Sequence, residues 1–242
     1  MAFWFDTNGA RYEFRAGQHA DFVATHLCTG SESDNSRTFS LASPPHDKIM
    51  IAMRMRKTAF KTSLQAAALG TKFTVSRPRG SFTLHKDITR TAVFIAGGIG
   101  IAPIRSILQH ATQERLPHKL YLFYSNREAE DAAFLEEFEN MSVRNPNFTF
   151  IPTVTGHRTI AWPYEKGHIN GGMLSRYLLG LNGPIYYIAG PSGIVSAMTD
   201  LLNSSSVSDD DVRTEEFGDY KLYQNSAQFD QVTGNNRPDS AR

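Results

Sequence analysis

The chain has 242 residues, 40% of them hydrophobic and 20% charged, which is typical of a folded globular protein and excludes a fibrous or wholly disordered one. No apolar run approaches the roughly 18–20 residues that a membrane-spanning helix requires, and residues 1–6 lack the basic and apolar regions of a secretory signal. The single cysteine, Cys28, excludes an internal disulfide and a cysteine-ligated iron–sulfur cluster. We therefore expect a cytoplasmic protein without an integral membrane segment, a metal site or nucleic-acid binding.

The charges are distributed unevenly along the chain. Residues 1–86 contain 12 Lys and Arg against 6 Asp and Glu, whereas the remainder contains 13 against 18. A positive first part suits the phosphates of a cofactor or the docking of an acidic redox protein, and it is equally compatible with an ordinary solvated surface.

The first third of the chain consists of short β-rich segments separated by turns of Gly, Pro, Asn and Asp. Such segments occur at residues 12–14, 49–53 and 72–75. One helical stretch, residues 63–69, interrupts them, with Thr62 and Ser63 as capping residues at its start. The pattern predicts a barrel or a sandwich.

After Arg90 the pattern changes to strand-like runs that alternate with helix-like ones. The predicted strands are residues 92–96, 120–124, 148–151, 185–189 and 212–217. The helix after the first of them repeats apolar residues at intervals of three and four, at Ile101, Ile104, Ile107, Leu108 and Ala111. This predicts a doubly wound parallel sheet over residues 89–220, followed by a loose polar tail at 221–242.

A glycine-rich segment, residues 96–103, lies directly between the first of these strands and its helix. Gly97, Gly98 and Gly100 allow the backbone to approach a ligand closely, and the helix start offers unpaired N–H groups to a pyrophosphate. Pro103 suits the first helical turn. A tight turn without any ligand would show the same residues.

A second motif, residues 37–44, lies late in the β-rich region. Strand alternation directs Arg37 and Phe39 to one side and Thr38 and Ser40 to the other. Arginine pairs well with phosphate, an aromatic ring can cover a flavin, and a serine hydroxyl can hydrogen-bond a ring nitrogen.

Together the two motifs resemble the ferredoxin-NADP reductase superfamily, in which an Arg-x-Tyr-Ser strand binds flavin and a Gly-Gly-x-Gly-x-x-Pro loop opens the nucleotide domain. Gly190 and Pro191 after a late strand, and the acidic-aromatic segment 215–217, extend the resemblance over nearly the whole chain. The resemblance implies an antiparallel β-barrel that binds flavin at residues 1–88 and an α/β nucleotide-binding domain at 89–220.

The resemblance also implies roles for individual residues. Arg37 is expected to contact the flavin phosphate, Phe39 to pack on the ring or ribityl chain, and Ser40 to hydrogen-bond near flavin N5, with Ser40 and Glu216 as the catalytic residues. The helix start at Lys61, Thr62 and Ser63 is expected to bind the flavin pyrophosphate, or else to be a mere helix cap. The remaining expected cofactor-binding residues are Thr38, Gly97, Gly98, Gly100, Pro103, Ser125, Arg127, Gly190, Pro191 and Phe217.

Two positions depart from the family pattern. Phe39 stands where tyrosine is usual, which removes a hydroxyl contact, and Ala189 stands where cysteine often lies beside the nicotinamide. Ser125 and Arg127 could hold the 2′-phosphate of NADPH, or Arg127 could instead pair with acidic residues of the next helix. The choice between NADPH and NADH therefore stays open.

The function implied is hydride transfer from NADPH or NADH to FAD, rather than FMN, with electrons then passing to a separate acceptor such as ferredoxin or flavodoxin. The positive first part of the chain suits an acidic acceptor. The alternatives are a flavin-free regulatory module that senses nucleotide and a soluble relative of ferric reductases.

Overall fold

The computed structural model describes residues 1–24, 35–55, 57–156, 158 and 161–217, together with the backbone of Asn236–Asp239. Cys28 and most of the tail expected at 221–242 lie outside the described residues. The chain divides into two compact units. Unit 1 comprises Met1–Thr83, Arg105–Ile107 and Asp219–Arg242, and unit 2 comprises Leu84–Ile104 and Leu108–Gly218.

Unit 1 contains two three-stranded sheets in which every strand pair is antiparallel. One sheet has the order β12-β1-β4 and the other β3-β2-β5. The strands are β1 (Ala2–Phe5), β2 (His19–Val23), β3 (Ser36–Ser40), β4 (Ile49–Ala52), β5 (Thr74–Val75) and β12 (Asn236–Asp239), and the helix is α1 (Ala59–Ala66). The antiparallel strands of the predicted β-barrel are confirmed, and among the described residues they form these two sheets and no closed barrel.

The core of unit 1 is rich in phenylalanine. The Phe5 ring lies 5.0 Å from that of Phe22 and 5.3 Å from that of Phe73, measured between centroids. All three rings belong to one buried cluster, and in β2 the buried Ala20 and Phe22 alternate with partly exposed residues. Two local predictions fail: residues 12–14 form no strand, and α1 begins at Ala59, four residues before the predicted start.

Unit 2 is a six-stranded, wholly parallel sheet with the order β11-β10-β6-β7-β8-β9. Its strands are β6 (Ala92–Gly97), β7 (Leu120–Asn126), β8 (Phe148–Val154), β9 (Glu165–Lys166), β10 (Ile185–Gly190) and β11 (Val212–Glu216). Its helices are α2 (Ile101–Gln113), α3 (Leu135–Arg144), α4 (Gly171–Tyr177) and α5 (Ser192–Ser204).

Helices cover both faces of this sheet, as the prediction of a doubly wound domain requires. Apolar residues of α4 and α5 pack with Phe123 and its neighbours on one face. Tyr124, the next residue of β7, alternates to the other face and packs against Phe138 of α3 with 6.3 Å between ring centroids. No helix within the described part of the chain is long and apolar enough to cross a membrane.

Candidate functional site

The order of the strands in unit 2 reverses between β6 and β10. β6 pairs with β7 on one side and with β10 on the other, and the chain builds the sheet outward from this point in both directions. In open parallel sheets, ligands bind outside the carboxyl ends of the two strands that flank such a reversal. Here those ends are Gly97 and Gly190.

Glycines allow the backbones at this point to approach closely. A Cβ atom added to Gly100 would lie 2.1 Å from the carbonyl oxygen of Ala189, and one added to Gly190 would lie 3.2 Å from Cα of Gly97. Only the glycine at position 100 fits against that backbone carbonyl. The Ile194 side chain packs against the same two strand ends, since a Cβ atom added to Gly97 or Gly190 would lie 3.0 or 2.7 Å from its Cγ2 atom. The glycines are therefore needed because these positions have no room for side chains of their own.

Between β6 and α2, Gly98–Gly100 form a single 3-10 turn. Gly98 has a φ of +51°, in the left-handed region that favours glycine. The first N–H groups of a helix lack partners within the helix, and they carry the positive end of its dipole. Pro103 is in the first turn of α2, as predicted. This is the local arrangement that binds a pyrophosphate.

A cavity of about 420 Å³ lies beyond β7 and β8. It is lined by Arg127, Glu128, Thr155, Gly156 and Arg158. Sequence reasoning identified Arg127 and missed Arg158, because no motif links the end of one strand to the loop after the next. Two guanidinium groups against one carboxylate make this cavity suitable for an anion.

Ser125 and Asn126 end β7. Ser125, expected to bind nucleotide, pairs in register with Gly97 of β6 and is partly exposed. Asn126 is 5% exposed, and neither polar atom of its side chain has a hydrogen-bond partner among the described residues. No sequence signal indicated a buried amide at this position.

The acidic segment at the end of β11 lies beside β10. Glu216 pairs in register with Gly190 and is exposed, and the N–H of Phe217 donates to the Gly190 carbonyl at 2.9 Å. Glu215 pairs with Ala189, and its Oε2 is shielded from solvent. Alternation places Glu215 and Glu216 on opposite faces of the sheet, which the sequence prediction of Glu216 did not consider.

In unit 1, β2 and β3 pair so that Ser40 lies opposite His19 and Thr38 opposite Asp21. Residues opposite each other in an antiparallel pair share a face, so these four side chains lie on one side of the strands. Phe39 and Arg37 lie on the other side, opposite Ala20 and Phe22. The alternation predicted from sequence is therefore confirmed.

The ring of Phe39 lies in the apolar core. It is 7% exposed, and its centroid is 5.9 Å from that of Phe22 and 5.8 Å from that of Phe60. The packing of Phe39 on the flavin ring or ribityl chain stays a prediction, and the contacts that its ring makes within unit 1 are with Phe22 and Phe60. The phenylalanine that replaces the family's tyrosine joins the phenylalanine cluster.

The Thr38 side of β3 carries a charged cluster. Arg79 donates to Asp21 through Nη1 at 2.6 Å and through Nη2 at 2.8 Å, and the Thr38 hydroxyl donates to the same carboxylate at 2.5 Å. Burial raises the pKa of Asp21, but these hydrogen bonds outweigh it and leave the pKa below its usual value. Burial and the nearby charge of Arg79 lower the pKa of His19, which lies opposite Ser40.

Two other expected residues of unit 1 have defined contacts. Arg37 donates from Nη1 to the carbonyl of Ser36 at 2.6 Å. Ser40 is 4% exposed. Arg37 is the second residue of the five-residue strand β3, and Ser40 is its last.

The start of α1 differs from the prediction. Thr58 is the N-cap: its hydroxyl accepts the N–H of Lys61 at 3.4 Å, and its carbonyl accepts the N–H of Thr62 at 2.9 Å. Lys61 also donates from Nζ to the carbonyl of Arg54 at 2.8 Å. Thr62 and Ser63 therefore lie inside the helix, and its N-terminal N–H groups are those of the first turn, from Ala59.

Comparisons with known proteins agree with this architecture. Residues 94–200 match the family model of the oxidoreductase NAD-binding domain. The phenol hydroxylase P5 protein of Acinetobacter pittii is 25% identical over 210 residues, which cover 85% of this chain and 58% of that protein. Reductase component 1 of terephthalate 1,2-dioxygenase from a Comamonas species is 26% identical over 172 residues, which cover 70% of this chain and 49% of that protein. The chain thus spans about half the length of these relatives.

This chain covers nearly the whole length of two solved structures that it resembles. The flavohem-like FAD/NAD-binding domain of nitric oxide dioxygenase from Vibrio cholerae has a TM-score of 0.77 at 17% identity, covering 90% of this chain and 92% of that one. A ferredoxin NADP+ reductase from Neisseria gonorrhoeae with bound FAD and NADP has a TM-score of 0.70 at 17% identity, covering 89% and 98%. These likenesses show the fold.

Proposed function

We propose that this chain is a flavin-dependent oxidoreductase of the ferredoxin-NADP reductase superfamily, which takes hydride from NADPH or NADH and passes electrons to a separate acceptor. The observation that carries the proposal is the glycine edge formed by Gly97, Gly100 and Gly190 where the strand order reverses. A dinucleotide needs such an edge, since its pyrophosphate must come within hydrogen-bonding distance of backbone N–H groups.

On this proposal the nucleotide lies along the carboxyl edge of the sheet in unit 2. The Gly98–Gly100 turn holds the pyrophosphate, the segment from Ala189 to Pro191 lies beside the nicotinamide, and Glu215 or Glu216 supplies a carboxylate there. Two arginines and one glutamate line the cavity beyond β7 and β8. Their net positive charge favours a 2′-phosphate, so we expect NADPH to be the better substrate.

Unit 1 is proposed to hold FAD, which supplies the hydride acceptor. Arg37 and Ser40 have side chains of the kinds that bind this cofactor: a guanidinium pairs well with a phosphate, and a serine hydroxyl can donate to a ring nitrogen. The first turn of α1 offers further N–H groups for the pyrophosphate. Phe39, the residue between Thr38 and Ser40 in β3, keeps its predicted place on the ring or ribityl chain in this proposal.

The acceptor is proposed to be a separate protein, as it is for relatives named as reductase components of oxygenases. Residues 1–86 contain 12 basic and 6 acidic residues, a charge that suits an acidic partner. Complementary charge would raise the rate of encounter and make that rate fall with ionic strength.

The first test is the visible spectrum of the purified protein, followed by an anaerobic assay with NADPH and NADH against a panel of acceptors. A yellow protein that reduces at least one acceptor supports the proposal. A colourless protein that still binds nucleotide would instead support a regulatory module.

The role of Ser40 is tested with Ser40→Ala. Removing a hydroxyl that donates near flavin N5 should slow flavin reduction by about tenfold, since such a donor acts on developing charge, while flavin stays bound. Ser76→Ala is the matched control, because Ser76 is also a buried serine of unit 1 and its hydroxyl donates to the carbonyl of Arg77 at 3.2 Å; this variant should reduce its flavin at the wild-type rate. Reduction of Ser40→Ala at the wild-type rate would remove Ser40 from the mechanism.

A further inference from the structure

The Tyr124 side chain contacts the glycine-rich loop between β6 and α2. It lies two residues before the end of β7 and is 0% exposed. Its hydroxyl donates to the carbonyl oxygen of Gly98 at 3.2 Å. Its ring packs against Phe138, so its position is fixed by the core of unit 2 and not by the loop.

The Gly98 carbonyl receives a second donor. The N–H of Ile101, at the end of the 3-10 turn, also donates to this oxygen. The peptide between Gly98 and Ile99 is planar and trans, so its N–H points opposite to its carbonyl. Two donors that hold the carbonyl inward thus direct the N–H of Ile99 outward from the loop.

The backbone at Gly98 itself imposes little restraint on this peptide, so its orientation depends on these hydrogen bonds. Gly98 has a φ of +51°, and a Cβ atom there would have no heavy atom within 4 Å. Glycine adopts alternative backbone conformations at little cost. A tilt of this peptide away from its present orientation would turn the Ile99 N–H away from an anion, so the hydrogen bonds to the Gly98 carbonyl keep this donor in place.

We propose that Tyr124 is a positioning residue for dinucleotide binding: its hydroxyl holds the Gly98–Ile99 peptide in the orientation that offers an N–H to the pyrophosphate. The inference rests on the proposed function, because it takes the loop to be the pyrophosphate site. Tyr124 does not touch the nucleotide and acts through the backbone of Gly98.

The test compares two tyrosine variants. Tyr124→Phe removes only the hydroxyl and keeps the ring on Phe138. Tyr186→Phe is the matched control, since Tyr186 is also fully buried in this sheet and its hydroxyl donates to a backbone carbonyl, that of Leu181, at 2.7 Å. The probe is ADP-ribose, which carries the pyrophosphate but no nicotinamide, and its dissociation constant is measured by calorimetry.

We expect Tyr124→Phe to weaken ADP-ribose binding by roughly fivefold, the effect of one net hydrogen bond. KM for the reduced nucleotide should rise by a similar factor while kcat and flavin content are retained. Tyr186→Phe should lower the melting temperature by as much as Tyr124→Phe does and leave the dissociation constant unchanged.

An unchanged dissociation constant in Tyr124→Phe, or an equal weakening in both variants, would overturn the inference. Failure of the wild-type protein to bind ADP-ribose would instead overturn the proposed pyrophosphate site. If Tyr124→Phe does not fold, Tyr124→His, whose ring can still donate a hydrogen bond, must bind ADP-ribose more tightly than Tyr124→Leu for the inference to stand.

Discussion

At the scale of single residues, a methyl group would meet different surroundings at Gly98 and Gly100. At Gly100 a Cβ atom would lie 2.1 Å from a backbone carbonyl that cannot move aside, whereas at Gly98 it would enter open space. At Gly98 the cost is conformational, about 1–2 kcal/mol for a non-glycine residue in the left-handed region.

We therefore predict that Gly100→Ala lowers both the free energy of unfolding and the affinity for ADP-ribose by more than Gly98→Ala does. Gly100→Ala should lower the free energy of unfolding by more than about 2 kcal/mol and reduce ADP-ribose binding over tenfold, because β6 and β10 must separate. Denaturant unfolding and calorimetry measure both quantities. A Gly100→Ala protein as stable as Gly98→Ala would contradict the close approach of the strand ends.

The motifs predicted which residue types gather at the sites, but not the neighbours of each side chain. Alternation along β3 correctly separated Phe39 from Ser40. The enclosure of Phe39 by Phe22 and Phe60 could not be predicted, because those rings come from a different strand and a helix. Asn126 carried no signal either, since burial of a polar side chain depends on tertiary packing.

At the scale of elements, the start of α1 distinguishes two threonines. Thr58 caps the helix with its hydroxyl, whereas Thr62 belongs to the helix and its side chain is exposed to solvent. Thr58→Ala should lower the free energy of unfolding by about 1 kcal/mol through loss of the cap. Thr62→Ala should be neutral or slightly stabilising, because alanine has the higher helix propensity.

Thermal or urea unfolding of the two variants provides the measurement. If Thr58→Ala were as stable as the wild type and Thr62→Ala were less stable, Thr62 would be the cap, as predicted from sequence, and Thr58 would not.

Strands β6 and β10 of unit 2 were predictable because they are buried along their whole length and appear as continuous apolar runs. The predicted and observed starts of β6, β7, β8, β10 and β11 coincide. Unit 1 was less predictable. Residues 12–14 have strand-forming side chains, but Tyr12 is fixed by a tertiary bond from its hydroxyl to the carbonyl of Ser76 at 2.9 Å, outside any ladder.

At the scale of the whole molecule, acid should destabilise the fold through buried histidines. With His85 neutral and protonated at Nε2, its Nδ1 accepts the Tyr187 hydroxyl at 2.9 Å and its Nε2–H donates to the carbonyl of Arg90 at 3.0 Å. Burial, with smaller effects of nearby positive charge, lowers the pKa of His85 below its ordinary 6.5. The pKa of His19 is lowered in the same way.

The sign of the effect follows from proton binding. The unfolded chain takes up protons at these histidines below about pH 6.5, where the folded chain does not, so unfolding becomes more favourable as the pH falls. The stabilising contribution is complete above that pH and is lost on acidification toward the lower folded-state pKa.

We predict that the melting temperature falls between pH 7.5 and pH 5.5, and that His85→Gln has a shallower pH dependence, with the remaining slope due in part to His19. The variant should be less stable than the wild type at pH 8, and the difference should narrow in acid. Parallel pH profiles of the two proteins would exclude His85 as a source of the effect.

The proposed function requires hydride transfer from a reduced nicotinamide to a flavin bound by the protein. The most direct measurement is anaerobic mixing of the purified yellow protein with NADPH, and separately with NADH, while the flavin absorbance near 450 nm is followed. We expect the flavin absorbance to bleach within a single turnover, and to bleach faster with NADPH than with NADH. A bound flavin that keeps its colour with both nucleotides would contradict it.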